Sequence, residues 1–400
     1  MILYVTVTET PNVAGAVETA DVASHLHPVG SFDVAAHPIP SGREEIWRFT
    51  PLKRLRALHG DAVLQPGSAL FRWNTPEGVR AEIVDGAEAR EVRGVSGLVP
   101  NTRYAARVLA EAPTTLLVDV PADVEVGEPI LVDLTGRDAT TAEAVDVVLR
   151  FGRHSRAVVV LNHTGSATMA QVVEVSVDDG AEVSVVSLQD WADDAVHLSH
   201  VEAAVGRDAS YKHVAISFGG DVVRMDSNVH YRGPGGSAEL FGLYFADAGQ
   251  HLEHRLFVDH NEPRTRSNVV YKGALQGDGA HTVWVGNVLI RKAAEGIETY
   301  EQNRNLVLTD GCRADSVPNL EIETGEIEGA GHASTTGRFD DEQLFYLQSR
   351  GVPEDEARRL VVHGFFNDIV RKIGVPALEE RLMAAVESEL AKNVTAEVVR

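Results

Sequence analysis

Between about residues 114 and 335 the chain reads as an almost unbroken succession of strands, and small-residue turns punctuate it at a regular interval. Thr114–Val120, Ala157–Leu161, Gln171–Val177, Glu182–Leu188, Val222–Tyr231 and Thr282–Ile290 are rich in β-branched residues, often alternate, and show little helical periodicity. Similar turns precede several of them: Asp178-Asp179-Gly180-Ala181, Gly206-Arg207-Asp208-Ala209, Gly235-Gly236-Ser237-Ala238 and Gly277-Asp278-Gly279-Ala280. Gly311-Cys312-Arg313-Ala314 and Gly329-Ala330 continue the series. The first three recur at roughly thirty residues, the length of one coil of a stacked β-solenoid. A β-sandwich would also use Gly-rich turns, but Asn-Gly and Asp-Gly two-residue hairpin signals are few for this many strands, which favours parallel coils.

The flanks read differently. Residues 1 to about 110 are mixed, punctuated by Pro38, Pro40 and Pro51, with a short helix expected at Leu52–His59. The first thirty residues carry no interpretable pattern and are expected to be a flexible lead. After about residue 338 the pattern turns helical. Phe339-Asp340-Asp341 opens a first helix with Leu344, Phe345 and Leu347 on one side, ended by Gly351. Pro353 in the first turn, with Glu354, Asp355 and Glu356 at the positive dipole end, starts a second. Arg371-Lys372 occupy its last turn, and Gly374 and Pro376 stop it. A third runs from Ala377 to Ala391 with Leu378, Leu382, Val386 and Leu390 as its apolar stripe. The expected fold is mostly β with α: a right-handed parallel β-helix over 111–337, between an N-terminal mixed region (1–110) and a C-terminal helical domain (338–400).

Charge and composition narrow the function classes. Fifty-nine acids against 36 bases leave a net charge of −23, whereas nucleic acid is bound through clustered positive charge. No run of about 18 apolar residues offers a membrane span, and the opening MILYVTVTET lacks the basic-then-apolar pattern of a secretory signal. The cytoplasm is the expected compartment. A single cysteine excludes an internal disulfide and a self-contained four-cysteine metal or cluster site.

That cysteine, Cys312, and His332 twenty residues later are the candidate ligands. Thiolate and imidazole suit iron, zinc or an iron–sulfur cluster. A strand through Leu320-Glu321-Ile322-Glu323, with Leu320 and Ile322 facing in, is expected to bring the two turns together as half of a site. On bland grounds Cys312 is a small buried hydrophobe and His332 a turn histidine. His251 and His254, like His197 and His200, sit three apart, on opposite faces of a strand, and read as structural. Glu321, Glu323, Glu326 and Glu328 read as a solvated β face. No phosphate-cradling G-x-x-x-x-G-K-[ST] occurs, and Gly233-Pro234-Gly235-Gly236 lacks its lysine.

Several motifs in order resemble the SufB/SufD family of iron–sulfur cluster assembly scaffold subunits, over roughly residues 38 to 375. They are Gln302-Asn303-Arg304-Asn305-Leu306, Asp315 through Ile322 (DSVPNLEI), His332 through Gly337 (HASTTG) and Asp341 through Gly351 (DEQLFYLQSRG). Upstream, His260 through Ser267 (HNEPRTRS) is similar to the family's His…Pro…Thr…Ser segment, and Pro38–Leu52 (PIPSGREEIWRFTPL) to the opening motif of SufD members. SufB-like members carry a cysteine at the position of Cys312 and a glutamate after the later histidine, where this chain has Ala333. SufD-like members carry a histidine at the position of His332, often two residues after a cysteine, where this chain has Ala330. The resemblance is greatest to SufD.

The resemblance implies a non-catalytic scaffold that pairs with a SufB-like paralogue through the β-helical cores. It also implies docking of a SufC-like ABC ATPase on the C-terminal helices, through Glu354, Asp355, Phe365, Phe366 and Ile369 with Val370, or else mere packing of that helix. A transient cluster would form at the heterodimer interface, with His332 and Cys312 as candidate ligands. ATP hydrolysis would belong to the partner, with no nucleotide bound here. Three alternatives remain at this point: a SufB-like subunit carrying the cluster through Cys312, a β-helical polysaccharide-active enzyme using the acidic ladder, and a non-catalytic structural solenoid with no metal role. Aromatic residues at 6 % argue against the second.

Overall fold

The computed structural model describes residues 30–65, 69–338 and 341–397; the expected flexible lead over the first thirty residues falls almost wholly outside them, as does the helix opening at Phe339-Asp340. β1 (Leu70–Trp73) and β2 (Arg80–Asp85) precede α1 (Gly86–Val92) and α2 (Arg103–Glu111). β3 (Thr114–Val120) leads into two long strands, β4 (Ile130–Phe151) and β5 (Arg156–Val177). Then come β6 (Glu182–Trp191), β7 (Val196–Val205), β8 (Ser210–Ser217), β9 (Val222–Tyr231), β10 (Ser237–Ala246) and β11 (His251–His260). β12 (Arg266–Leu275), β13 (His281–Ile290), β14 (Glu298–Val307), β15 (Arg313–Ile322) and β16 (Gly329–Arg338) complete the series. Three helices end the chain: α3 (Asp341–Ser349), α4 (Glu354–Val370) and α5 (Pro376–Glu397).

From β5 onward every pairing is parallel and, apart from β5 with β6, joins alternate strands. One face runs β5-β7-β9-β11-β13-β15, the other β5-β6-β8-β10-β12-β14-β16. Ser210, Ser237, Arg266, Glu298 and Gly329 are successive partners across the second face, one coil apart. This is a parallel β-solenoid. Most strands from β5 to β13 are buried along nearly their whole length, polar residues included, because both faces are covered: the interior by the opposite sheet, the exterior by flanking structure.

The turns form two stacks rather than one. Gly180 N bonds Arg207 O, Asp208 N bonds Pro234 O and Gly235 N bonds Pro263 O along one corner. Gly249 N to Asp278 O and Gly279 N to Gly311 O run along the other. The Gly277 and Gly311 turns therefore belong to the opposite corner from the first three. Gly180 and Gly277 sit at φ 69° and 81°, a left-handed backbone that glycine adopts without steric cost. Ala181, Ala209 and Ala280 are fully buried where each turn enters its strand.

Both outer faces carry covers. The N-terminal region lays Trp47, Leu55, Leu58, Leu98, Tyr104 and Val108 on Val172, Val196, Leu198 and Val222. The expected Leu52–His59 helix is not formed. Leu52–Arg54 is a single 3-10 turn, and Arg56 and Ala57 then take φ of 49° and 63°, which a right-handed helix cannot contain. On the second face α4 and α5 bury Val362, Phe366, Ile369, Leu378, Leu382 and Val386 against Val186, Ile216, Phe241, Leu243 and Phe245.

Candidate functional site

β15 and β16 close the strand order at either side of the solenoid's last coil, and among the described residues no strand pairs with their outer edges. Among the described residues the interior is therefore open at this end. Ile322 registers with the buried Ile290 yet is 44 % exposed, because no further coil covers it; Leu320 does pack on the interior core.

His332 lies within β16, not in a turn. It registers with Glu301 on β14, whose inward-facing neighbours Asn303 and Asn305 are buried. The ring thus projects into the open mouth, 41 % exposed, with Nδ1 3.8 Å from Glu301 Oε1. That distance is too long for a hydrogen bond. Both Glu301 oxygens are buried without a hydrogen-bond partner, and burial pushes its carboxyl up to about 8.

Beside this pair the motif residues form a closed polar network. Asn305 donates to Asn303 Oδ1, Ser316 Oγ and Thr336 Oγ1 at 2.9, 3.0 and 3.2 Å. Ser316 donates to Asn303 Oδ1 at 2.7 Å, Asn303 to the Tyr244 hydroxyl at 2.8 Å, and that hydroxyl to Asn305 Oδ1 at 2.8 Å. The network fixes β14, β15 and β16 to one another at the mouth, so these motif residues set the platform on which His332 stands.

Cys312 lies elsewhere. Its thiol donates to Gly277 O at 3.3 Å and sits 3.5 Å from Thr309 Oγ1. Burial, with Asp247 and Asp278 nearby, raises its pKa and disfavours the thiolate a metal requires. Arg338 at the end of β16 bonds Asp310, which places the start of β15 beside the far end of β16. His332 is six residues upstream of Arg338, ~20 Å along the strand at about 3.3 Å per residue. The two residues do not converge.

The other motifs take structural places. His260 is held between Thr265 and Ser267 hydroxyls at 2.8 and 2.9 Å, and Asn261 caps Tyr231 N at 2.9 Å. His251 bonds Glu253 and His281 at 3.1 Å each, while His254 is buried in the interior beside Tyr244. Both read as structural, as their spacing implied. Of the acidic ladder only Glu321 lies in a strand; Glu323, Glu326 and Glu328 occupy the turn before β16.

α4 turns Phe366 and Ile369 inward, at 0 and 2 % exposure. They and Val370 hold the helix on the sheet instead of presenting it to a partner. Phe365 lies beneath Lys272, which also bonds Phe365 O and Asp368 at 2.8 and 2.6 Å. Glu354 pairs with Arg358 one turn on; the side chain of Asp355 is outside the described residues. Among the described residues, the exposed large hydrophobic groups of the helical region are Phe345 and Tyr346 on α3 and Leu360 on α4. Phe345 therefore does not share the buried side of Leu344.

A family model described as SUF system FeS cluster assembly, SufBD core domain, matches residues 134–365. The chain belongs to the SufBD family. An iron–sulfur cluster assembly SufBD family protein of Mycobacterium bovis is 54 % identical over 93 % of this chain and 96 % of its own length. One of Mycobacterium leprae is 53 % identical over 90 % of this chain and 93 % of its own. A second SufBD family protein of Mycobacterium leprae is 30 % identical over 54 % of this chain but only 25 % of itself. Membership displaces the polysaccharide-enzyme alternative. No helix among the described residues is long and apolar enough to cross a membrane.

Glu301 escaped the sequence reading. Its signal was present: Thr299, Glu301, Asn303 and Asn305 are polar at every second position of β14, the parity that faces inward.

Proposed function

We propose that this SufBD family protein is a SufD-like, non-catalytic scaffold that pairs with a SufB-like paralogue through the open end of its solenoid. The nascent iron–sulfur cluster, as cargo, forms at that interface with His332 as this chain's ligand. The carrying observation is the position of His332: half-exposed in an uncapped mouth, on a platform stiffened by Asn303, Asn305, Ser316 and Thr336. Unpaired parallel edges on β15 and β16 supply backbone donors and acceptors for a second chain. Two SufBD family proteins in Mycobacterium leprae, one similar to this chain throughout and one only distantly, accord with a paralogous pair.

Neutral imidazole coordinates iron, and one histidine among thiolates leaves a cluster labile enough to hand on. Cys312, with its thiol pKa raised and its position far from His332, is the weaker ligand, which weighs against the SufB-like alternative. A SufC-like ATPase docks on the C-terminal helices and performs the ATP hydrolysis; this chain binds no nucleotide and acts in the cytoplasm. Phe345, Tyr346, Leu360 and Glu354 are the exposed side chains suited to that contact.

Anaerobic affinity purification from the native cells, with mass spectrometry of co-purifying chains and iron and sulfide analysis, tests the reading. It predicts near-stoichiometric SufB-like and SufC-like partners, with iron and sulfide that fall in His332→Ala while the complex persists. Recovery of the chain alone, or an unchanged cluster content in the variant, overturns it.

A further inference from the structure

We propose that Glu301 is a second metal ligand beside His332, so that this chain by itself offers ferrous iron a carboxylate–imidazole pair in the mouth of the solenoid. The inference deepens the scaffold reading and rests on it for the identity of the metal.

Three observations carry it. The first is register: Glu301 and His332 are direct partners on adjacent parallel strands, so their side chains leave the same face one strand apart. Metal–nitrogen and metal–oxygen bonds of about 2.1 Å at a tetrahedral angle put two ligand atoms about 3.4 Å apart. The observed 3.8 Å between Nδ1 and Oε1 is within a small side-chain rotation of that.

The second is the missing partner. Glu301 is 1 % exposed, yet neither oxygen accepts a hydrogen bond. Two other buried carboxylates, Glu253 and Glu174, have donors. Glu253, equally buried, accepts from Thr50 and Arg255 and bonds His251, and Glu174 accepts from Gly94 and Ser96. A structural carboxyl with no donor is a pure cost; a ligand awaiting a cation is not.

The third is space. Gly286 lies against Glu301, and a β-carbon there would collide with its Oε2. On the opposite side the ring of His332 faces the open mouth, leaving further coordination positions to water, sulfide or a partner chain. Carboxylate and imidazole together suit ferrous iron and its divalent neighbours.

The test is an anaerobic equilibrium titration of the purified full-length chain, without partners, with ferrous iron alone. Wild type, Glu301→Gln and His332→Ala are compared, each checked for folding by circular dichroism. We expect one ferrous ion per wild-type chain, bound at least roughly tenfold more weakly in either variant. Binding by Glu301→Gln as tight as wild type, or no site that either variant alters, overturns the proposal. The cluster content of complexes purified from cells is read separately. Ferrous binding that needs both residues, with no cluster in the native complex, would keep the pair and sink the scaffold reading. Cluster that depends on His332, with ferrous binding indifferent to Glu301, would do the reverse.

Discussion

The guanidinium of Arg224 lies 4.1 Å over the ring of Trp47, joining a buried strand residue of the solenoid to the N-terminal region. Arg224 also grips both oxygens of Asp226 at 3.0 Å and bonds Thr50 Oγ1 at 2.9 Å, with Glu253 3.6 Å away. Trp47 and Thr50 both fall in the opening motif Pro38–Leu52, so that motif acts as a clasp on the sheet. Removing the cation leaves two buried carboxylates short of their counter-charge. Arg224→Met should cost about 3–5 kcal/mol, measured by urea unfolding. A loss below 1 kcal/mol would mean the clasp contributes little.

Two glycines make room for tyrosine rings inside the solenoid. Gly242 pairs with Tyr271, and Gly273 with Tyr244, across β10 and β12. A β-carbon at either glycine would overlap the facing ring, and both tyrosines are fully buried. Gly242→Ala and Gly273→Ala should each destabilise by about 1–3 kcal/mol through overpacking. Thermal melts settle this, and an unchanged melting temperature would show the interior to be looser than the geometry implies.

The repeat of turns made the parallel solenoid legible, because each Gly- or Ala-bearing corner must reappear once per coil. The separation of those turns into two stacks was not, since Gly180 and Gly277 carry the same sequence signature at opposite corners. Leu52–His59 misled because its leucines suit a helix, while Arg56 and Ala57 take left-handed backbone that only tertiary packing imposes. The pairing of Cys312 with His332 failed on strand length. Ten residues of β15 separate Cys312 from the turn that leads to β16. Phe366 and Ile369 looked like docking residues because a stripe on a terminal helix does not say what covers it.

That last point separates docking from packing by experiment. Phe366 is buried against the sheet, so Phe366→Ala should cost about 3–5 kcal/mol and release the proposed ATPase partner only by loosening α4. Phe345 and Tyr346 are 71 and 55 % exposed. Phe345→Ala with Tyr346→Ala should leave the melting temperature within a degree or two while reducing co-purified ATPase. Full ATPase recovery with the double variant would move the dock elsewhere.

Buried histidines set the acid limit of the fold. Burial holds His163 and His213 down to about 4, and His254 and His260 to about 3. In the unfolded chain each titrates near 6.5. Between these values the unfolded state binds protons that the native state refuses, so stability falls as pH drops from about 6.5 towards 4. Urea midpoints should decline steadily over that interval. A flat profile there would contradict the neutral, buried assignment.

Glu301 pulls the other way. Burial raises its carboxyl to about 8 from an ordinary 4.5. Between those values the native state of the metal-free chain holds a proton the unfolded state has lost, so this residue's contribution falls as pH rises. Only near pH 4 and below are both states mostly protonated, and there Glu301→Gln should be nearly neutral. At pH 8.5 the wild-type chain bears a carboxylate without a donor, or the strain of keeping its proton, and the amide bears neither. The variant should then exceed wild type by a few kcal/mol in urea unfolding under chelating conditions. Adding ferrous iron at pH 8.5 should erode that advantage, because the ion stabilises the chain that retains the carboxylate more strongly than the variant. An advantage for glutamine that persists undiminished with iron would leave Glu301 a buried liability with no metal to justify it.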